Sequence, residues 1–223
     1  MNIASQIELL RKVSVDQINE QFILNLGLND DLIHEQPQEY SKYFGTGLHI
    51  WQYPNQFASF VKSIFGTKVG SYMEIGVRRG GTFITIGEIL ARKNPNIKLY
   101  AVDIIDMDPV LKEYSKYRNF EYIQIDSQQT VFKNFCEHTQ IEFVFIDGDH
   151  TFEGVYNDYS IFKHKFETKH IVFHDIVNSV VPGVGQTWQI VKNSEMFATN
   201  EFVQQYDSVE GKPYLGIGHA IRK

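Results

Sequence analysis

Apolar residues recur along this chain in two rhythms, and the change from one to the other divides it. From residue 2 to 26 they return every three or four positions, as Ile3, Ile7 and Leu10 and then Ile18, Phe22 and Leu26. That spacing predicts an amphipathic helix. Residues 27–53 lose the period and carry Asn29-Asp30-Asp31, Pro37, Gly45 and Gly47, the composition of a mobile connecting segment. The helical rhythm resumes over 55–65 with Phe57, Phe60, Val61, Ile64 and Phe65. From residue 69 onwards, short continuous apolar runs alternate with helical patterns. The runs at 70–77, 97–103, 120–126, 141–147 and 170–175 read as buried strands, and the patterns near 81–93, 108–117, 128–138 and 152–166 as helices.

Strands that alternate with helices build a parallel sheet with right-handed crossovers. The end of the chain departs from this. After a helix near 186–193, residues 201–207 and 214–221 read as two strands joined by a Ser-Val-Glu-Gly-Lys-Pro turn. So short a link cannot cross over, so the pair is antiparallel. The fold class expected is α/β: a Rossmann-like three-layer sandwich whose mostly parallel seven-stranded sheet ends in an antiparallel hairpin. Residues 1–66 then form an N-terminal helical extension and substrate-side lid, and residues 67–223 the ligand-binding domain.

Composition narrows the partners. A chain of 223 residues with 43% hydrophobic content buries one good core. A formal charge of −6 and the lack of any Lys/Arg-rich run argue against nucleic acid. No run has the length and apolarity of a signal peptide core or a membrane span, which points to a cytoplasmic protein. The single cysteine, Cys136, lies in a helical pattern beside Phe132 and Phe135 and reads as a packed thiol. A homo-oligomer is compatible with the apolar N-terminal face, which would equally well cover its own sheet.

The chemistry concentrates where strands end. Residues 69–81 read V-G-S-Y-M-E-I-G-V-R-R-G-G, a buried strand breaking into a glycine-rich turn and then a helix. Such a turn lets backbone approach a ligand closely. A dinucleotide fingerprint requires G-x-G-x-x-G, whereas the pattern here is E-x-G-x-x-x-G-G. That pattern resembles the first motif of class I S-adenosylmethionine-dependent methyltransferases. On this resemblance Gly76, Gly80 and Gly81 face the amino-acid portion of the cofactor. Glu74, an acid at a buried strand position, must be hydrogen-bonded, and bracing the glycine turn would serve. Asp103 ends the second strand, where a carboxylate can accept both ribose hydroxyls. Asp126 and Ser127 end the third, in position for the adenine edge. Each has a plainer alternative: Asp103 as a turn residue, Ser127 as the N-cap of the next helix.

Strand four ends in Phe-Ile-Asp147-Gly-Asp149-His150-Thr151 and strand five in Phe-His174-Asp175. As neighbours about 4.8 Å apart, they could aim Asp147 and Asp175 at one point and hold a hard divalent cation such as Mg²⁺. The words I-D-G-D-H-T-F-E-G-V, H-D-I and G-V-G-Q-T-W resemble the cephalosporin hydroxylase and macrocin O-methyltransferase relatives within class I. The resemblance implies a methyl transfer to a hydroxyl of a sugar, glycoside or natural product, with magnesium on Asp147 and an acid pair ending strand five. This chain has His174 where the first acid of that pair stands, and imidazole suits manganese, iron or zinc better than magnesium. His174 reads equally as a buried, hydrogen-bonded histidine. His150 has the titration range of a general base, or it simply braces the turn that Thr151 caps. Asp149 serves the turn or holds His150. Residues 47–54 and Pro182-Gly-Val-Gly185-Gln-Thr-Trp188, the latter with the glycines of a flexible lid, are expected to shape the substrate pocket. Trp51 and Trp188 fit substrate contact and core packing equally. Two other readings remain open at this point: a nicotinamide-dependent oxidoreductase, and a module that binds the cofactor without chemistry.

Overall fold

A computed structural model describes residues 3–31, 33–209, 211 and 213–223. Asn2, at the start of the expected first helix, and Glu210 and Lys212, in the expected turn, lie outside the described residues. The N-terminal amphipathic stretch is two helices rather than one: α1 (Ile3–Lys12) and α2 (Glu20–Leu26), with a 3₁₀ turn at Val15–Gln17 between them. Ser14 and Asn19 cause the breaks. Both are extended, Ser14 pairs with Gln17, and Asn19 accepts the Phe22 N–H, so each offers the backbone a cap in place of a continuing turn. The apolar phase survives, because Ile7, Leu10, Ile18, Phe22 and Leu26 are all buried on one side.

Helix α3 (Pro54–Ile64) leads into the sheet, which is built from β1 (Ser71–Ile75), β2 (Lys98–Asp103), β3 (Glu121–Gln124), β4 (Phe143–Ile146), β5 (His170–Phe173), β6 (Phe197–Phe202) and β7 (Ile217–Arg222). Its order is β3-β2-β1-β4-β5-β7-β6. The first five strands are parallel, and β7 runs antiparallel to both β5 and β6. The intervening helices are α4 (Gly81–Ala91), α5 (Pro109–Tyr114), α6 (Thr130–His138), α7 (Phe152–Phe162) and α8 (Pro182–Lys192).

Strand side chains alternate between two cores. Tyr72, Phe143, Phe145 and Val172 join α1 to α5 on one face, while Met73, Val144, Ile146 and Phe173 join α6, α7 and α8 on the other. Covering both faces is why the central strands read as unbroken apolar runs. Cys136 lies inside the second core, where burial pushes its thiol up to about 12. The three-layer sandwich expected from the sequence is the fold observed.

Three local expectations differ. Strand β6 falls at 197–202 rather than 201–207 and β7 at 217–222 rather than 214–221, so the two strands are farther apart in the sequence than a short turn allows. Only Phe197 of β6 is buried. An edge strand this polar lacks the apolar rhythm that marks the others. Helix α8 starts at Pro182, which fits the first helical position. The glycines expected to hinge a lid therefore lie in its first turn. Gly183 is there because a Cβ would meet Phe152 N at 2.3 Å, which lets α8 pack directly on the start of α7. Finally, the segment expected to be mobile is anchored through its described residues, Leu32 lying outside them: Leu28, Leu48 and Ile50 are fully buried, and Leu28 bridges both Phe44 and Ile50.

Candidate active site

The carboxyl ends of β1 to β5 open into one cleft of about 740 Å³, lined by every residue proposed above to bind cofactor or metal or to take the proton: Glu74, Gly76, Gly80, Gly81, Asp103, Asp126, Ser127, Asp147, His150, His174 and Asp175. A parallel sheet brings its strand ends together whatever the sequence distance between them. All four described non-glycine residues with left-handed φ, namely His49, Arg78, Asp175 and Leu215, also line it. Such conformations cost roughly 1–3 kcal/mol and collect where the surrounding structure enforces them.

At the β1 end the glycines answer to protein packing as much as to any ligand. A Cβ on Gly76 would lie 2.0 Å from the Asp147 carbonyl oxygen, and one on Gly81 would lie 2.4 Å from the Leu48 carbonyl oxygen. Gly76 therefore seats β1 against the β4 turn, and Gly81 seats α4 against the 48–50 segment. Between them Arg78, at φ 45°, turns its N–H onto Asp103 Oδ2 at 2.7 Å. Glu74 is held by the Tyr72 hydroxyl, not by the glycine turn. Both side chains leave the same face of β1, two residues apart, so the phenol reaches the acid first. Burial raises Glu74 well above the carboxylate range.

Asp103 also accepts the N–H groups of Ile104 at 2.7 Å and Ile105 at 3.2 Å. Three backbone donors fix its carboxylate, and acceptor capacity remains. Asp126 accepts the Gln128 N–H at 2.8 Å. Ser127 is buried and is not a helix cap, since α6 begins at Thr130 after Gln129.

The β4 and β5 ends form the charged heart of the cleft. His174 Nδ1 lies 2.9 Å from Asp147 Oδ1 and 3.4 Å from Asp175 Oδ2. His150 Nε2 reaches the same two carboxylates at 3.2 and 3.5 Å. Burial opposes a charge on His174, but Asp147 and Asp175 outweigh it and raise it to about 9. For Asp147, burial works against ionisation and the two imidazoles overcome it, holding the carboxyl low. The Asp147 hydrogen bond raises His150. Asp147, His174 and Asp175 present one ligating atom each within 4.8 Å of one another. The turn is braced without His150: Thr151 accepts the Gly154 N–H, and Asp149 accepts the Thr151 N–H.

The far wall includes His49 and Trp51, from the stretch 47–54 expected to shape the pocket, and residues the sequence did not connect to the strand ends. Arg79 binds Asp30 at 2.9 Å and Asp31 at 3.1 Å, while Arg78 binds Asp31 at 2.8 Å and lies over the Trp51 ring. The two arginines of the glycine turn thus clamp the N-terminal segment over the cleft. Tyr214, from the stretch before β7, donates to Glu35, and both line the opening. Asn178, Val180 and Gln128 complete it. Trp51 faces the cleft, whereas Trp188 is core: it is 1% exposed and bonds Glu201. Pro182 to Trp188 do not line this cleft; Pro182, Gly183 and Gln186 border a shallow side groove next to it.

A family model described as a methyltransferase domain matches residues 73–176, from β1 to the end of β5. No curated protein matches the sequence. Among solved structures, the O-methyltransferase TomG from Streptomyces achromogenes, in complex with SAM, is similar with a TM-score of 0.56, covering 94% of this chain and 99% of its own at 12% identity. The SAH-bound methyltransferase PaMTH1 from Podospora anserina gives 0.55, 87% and 88% at 11% identity. At such identities the likeness is one of fold. The fold is the Rossmann-like methyltransferase fold, and the stretch from β1 to the end of β5 matches the methyltransferase-domain model.

Proposed function

We propose that this protein is a class I, S-adenosylmethionine-dependent methyltransferase that transfers a methyl group to a hydroxyl oxygen of a small molecule of the sugar, glycoside or natural-product type, assisted by a divalent metal. The observation that carries this reading is the meeting of His150, Asp147, His174 and Asp175 in the cleft that also holds the ordered strand-end acids. The TomG likeness over nearly the whole of both chains supports oxygen as the acceptor.

S-adenosylmethionine supplies a sulfonium methyl group, electrophilic when bound. Gly76, Gly80, Gly81 and Glu74 would face its amino-acid portion, Asp103 its ribose hydroxyls, and Asp126 with Ser127 its adenine. The donor set of two carboxylates and one imidazole fits a divalent cation, and Asp147, Asp175 and His174 would hold it. Such an ion lowers the pKa of a coordinated hydroxyl. The resemblance implies magnesium, whereas an imidazole ligand suits zinc, iron or manganese better. His150 takes the acceptor proton, and the carboxylates at 3.2 and 3.5 Å stabilise the imidazolium that forms. Alignment for in-line displacement is the remaining task. Residues 1–66 supply the substrate-side wall through Asn29, Glu35, His49 and Trp51, and residues 67–223 form the cofactor-binding domain.

Thermal denaturation with S-adenosylhomocysteine and, separately, with NAD tests the cofactor half. Stabilisation by the first alone is expected; stabilisation by NAD alone would overturn the reading. Incubation with methyl-labelled cofactor and a panel of hydroxylated glycosides, with and without EDTA, tests the acceptor half.

A further inference from the structure

Beneath the turn that follows β3 lies a carboxyl group the reaction does not use. Asp158, in the second turn of α7, is 0% exposed. Its Oδ1 accepts from Gln128 Nε2 at 3.1 Å, and its Oδ2 has no well-formed hydrogen bond among the described residues, although Ser127 is near enough to favour its charge. The ionisable groups that face it are Asp126, Asp149 and the Cys136 thiol, and none supplies a positive charge. A buried carboxyl without a cation is costly to ionise; burial, the leading cause, raises it to about 7. Such a group persists where its hydrogen bonds position something.

What Asp158 positions is Gln128. The Gln128 carboxamide accepts from Asn157 at 3.0 Å and donates towards Asp158, Ser127 Oγ at 3.2 Å and Gly154 O at 3.4 Å. Its backbone N–H closes the Asp126 turn at 2.8 Å. The Asp126–Gln128 turn is therefore pinned to α7 from below, while all three of its residues line the cleft. Asp158 Oδ2 is also 3.7 Å from where a Gly148 Cβ would stand, so the same group underlies the turn after Asp147.

We infer that Asp158 is a positioning residue for the nucleobase end of the cofactor site: through Gln128 it sets the Asp126–Ser127–Gln128 turn to read the adenine edge. This rests on the S-adenosylmethionine reading above. Adenine offers an amino donor beside a ring-nitrogen acceptor, and a turn carrying a carboxylate, a hydroxyl and N–H groups complements that pair. Hypoxanthine reverses both, so a correctly set turn prefers the adenosyl form.

Isothermal titration of wild type, Asp158→Asn and Asp158→Ala with S-adenosylhomocysteine and with S-inosylhomocysteine separates this role from simple support of the fold. Wild type is expected to prefer the adenosyl form by roughly tenfold, the worth of one or two hydrogen bonds. Asp158→Asn, which keeps the acceptor for Gln128, should retain the preference. Asp158→Ala should reduce it to within about twofold while still binding the inosyl form. If Asp158→Ala does not fold, Gln128→Leu cuts the same link from the cleft side and should lose the preference equally. An undiminished preference in Asp158→Ala, or in Gln128→Leu where that variant stands in, overturns the inference. So does equal weakening of both nucleosides, or a wild type that binds both alike. A wild type that binds neither overturns the cofactor reading itself.

Discussion

Asp147 joins two parts of the cleft: both His150 and His174 meet its Oδ1, and its backbone carbonyl fills the space left by the missing side chain of Gly76. If Asp147 and Asp175 hold a cation, Asp147→Ala and Asp175→Ala should each weaken Mn²⁺ binding at least about tenfold, the loss expected for a direct ligand where even an outer partner is worth that much. Titration with the metal alone reads this, and unchanged affinity in both variants would remove the metal from the account. At this scale the sequence was legible where chemistry coincides with position. Asp103, Asp126, Asp147 and Asp175 stand at strand ends, and the parallel sheet does the rest. The partner of Glu74 was open to the same reasoning, because Tyr72 is two residues away on the same face. The clamp of Arg79 on Asp30 and Asp31 was not, since 48 residues separate Arg79 from Asp31 and nothing in their spacing joins them.

Among elements, the junction of α4 with the 48–50 segment decides whether the cleft has a far wall. A Cβ on Gly81 would press on Leu48 O at 2.4 Å and on Ile50 N at 2.8 Å, both backbone atoms. Gly81→Ala should therefore cost about 1–3 kcal/mol and lower Tm by roughly 2–4 °C per kcal/mol. Gly66→Ala, where a Cβ meets nothing within 4 Å, should leave Tm unchanged or higher and serves as the control in the same melting experiment. Arg79→Ala should loosen the wall without disturbing the sheet, which hydrogen exchange reads as faster exchange confined to residues 28–50. Unchanged protection there would mean that the buried Leu28, Leu48 and Ile50 hold the segment unaided. Element type was readable for the central strands, buried on both faces. The bounds slipped at β6, whose edge position leaves only Phe197 buried, and at the start of α8, where glycines that resemble a hinge serve close helix packing.

For the molecule as a whole, stability should depend on pH through a buried imidazole pair between β5 and β7. His170 Nδ1 and His219 Nε2 lie 3.0 Å apart, and burial lowers His170 to about 4 and His219 to about 3 from an ordinary 6.5. Both stay neutral in the fold, so below pH 6.5 the unfolded chain takes up protons that the folded chain refuses. The pair's contribution is complete above pH 6.5 and is lost as pH falls towards 4, by up to about 1.4 kcal/mol per pH unit for each group. Asp158 runs the other way: raised to about 7, it holds its proton in the fold and favours the folded state as pH falls below that value. The comparison that isolates the pair is denaturant unfolding of wild type against His219→Gln across this range. The variant should lose stability more shallowly, by about one proton's worth of slope; identical slopes would mean that the pair is already charged.

All of this serves one claim, that the strand-end acids and the glycine turn form a site for S-adenosylmethionine. Isothermal titration with S-adenosylhomocysteine, repeated with Mg²⁺, Mn²⁺ and EDTA, tests it most directly. Binding in the micromolar range is expected in every condition, with heat that changes when either metal is present. No binding in any condition would contradict the account and leave the glycine turn as a device for packing alone.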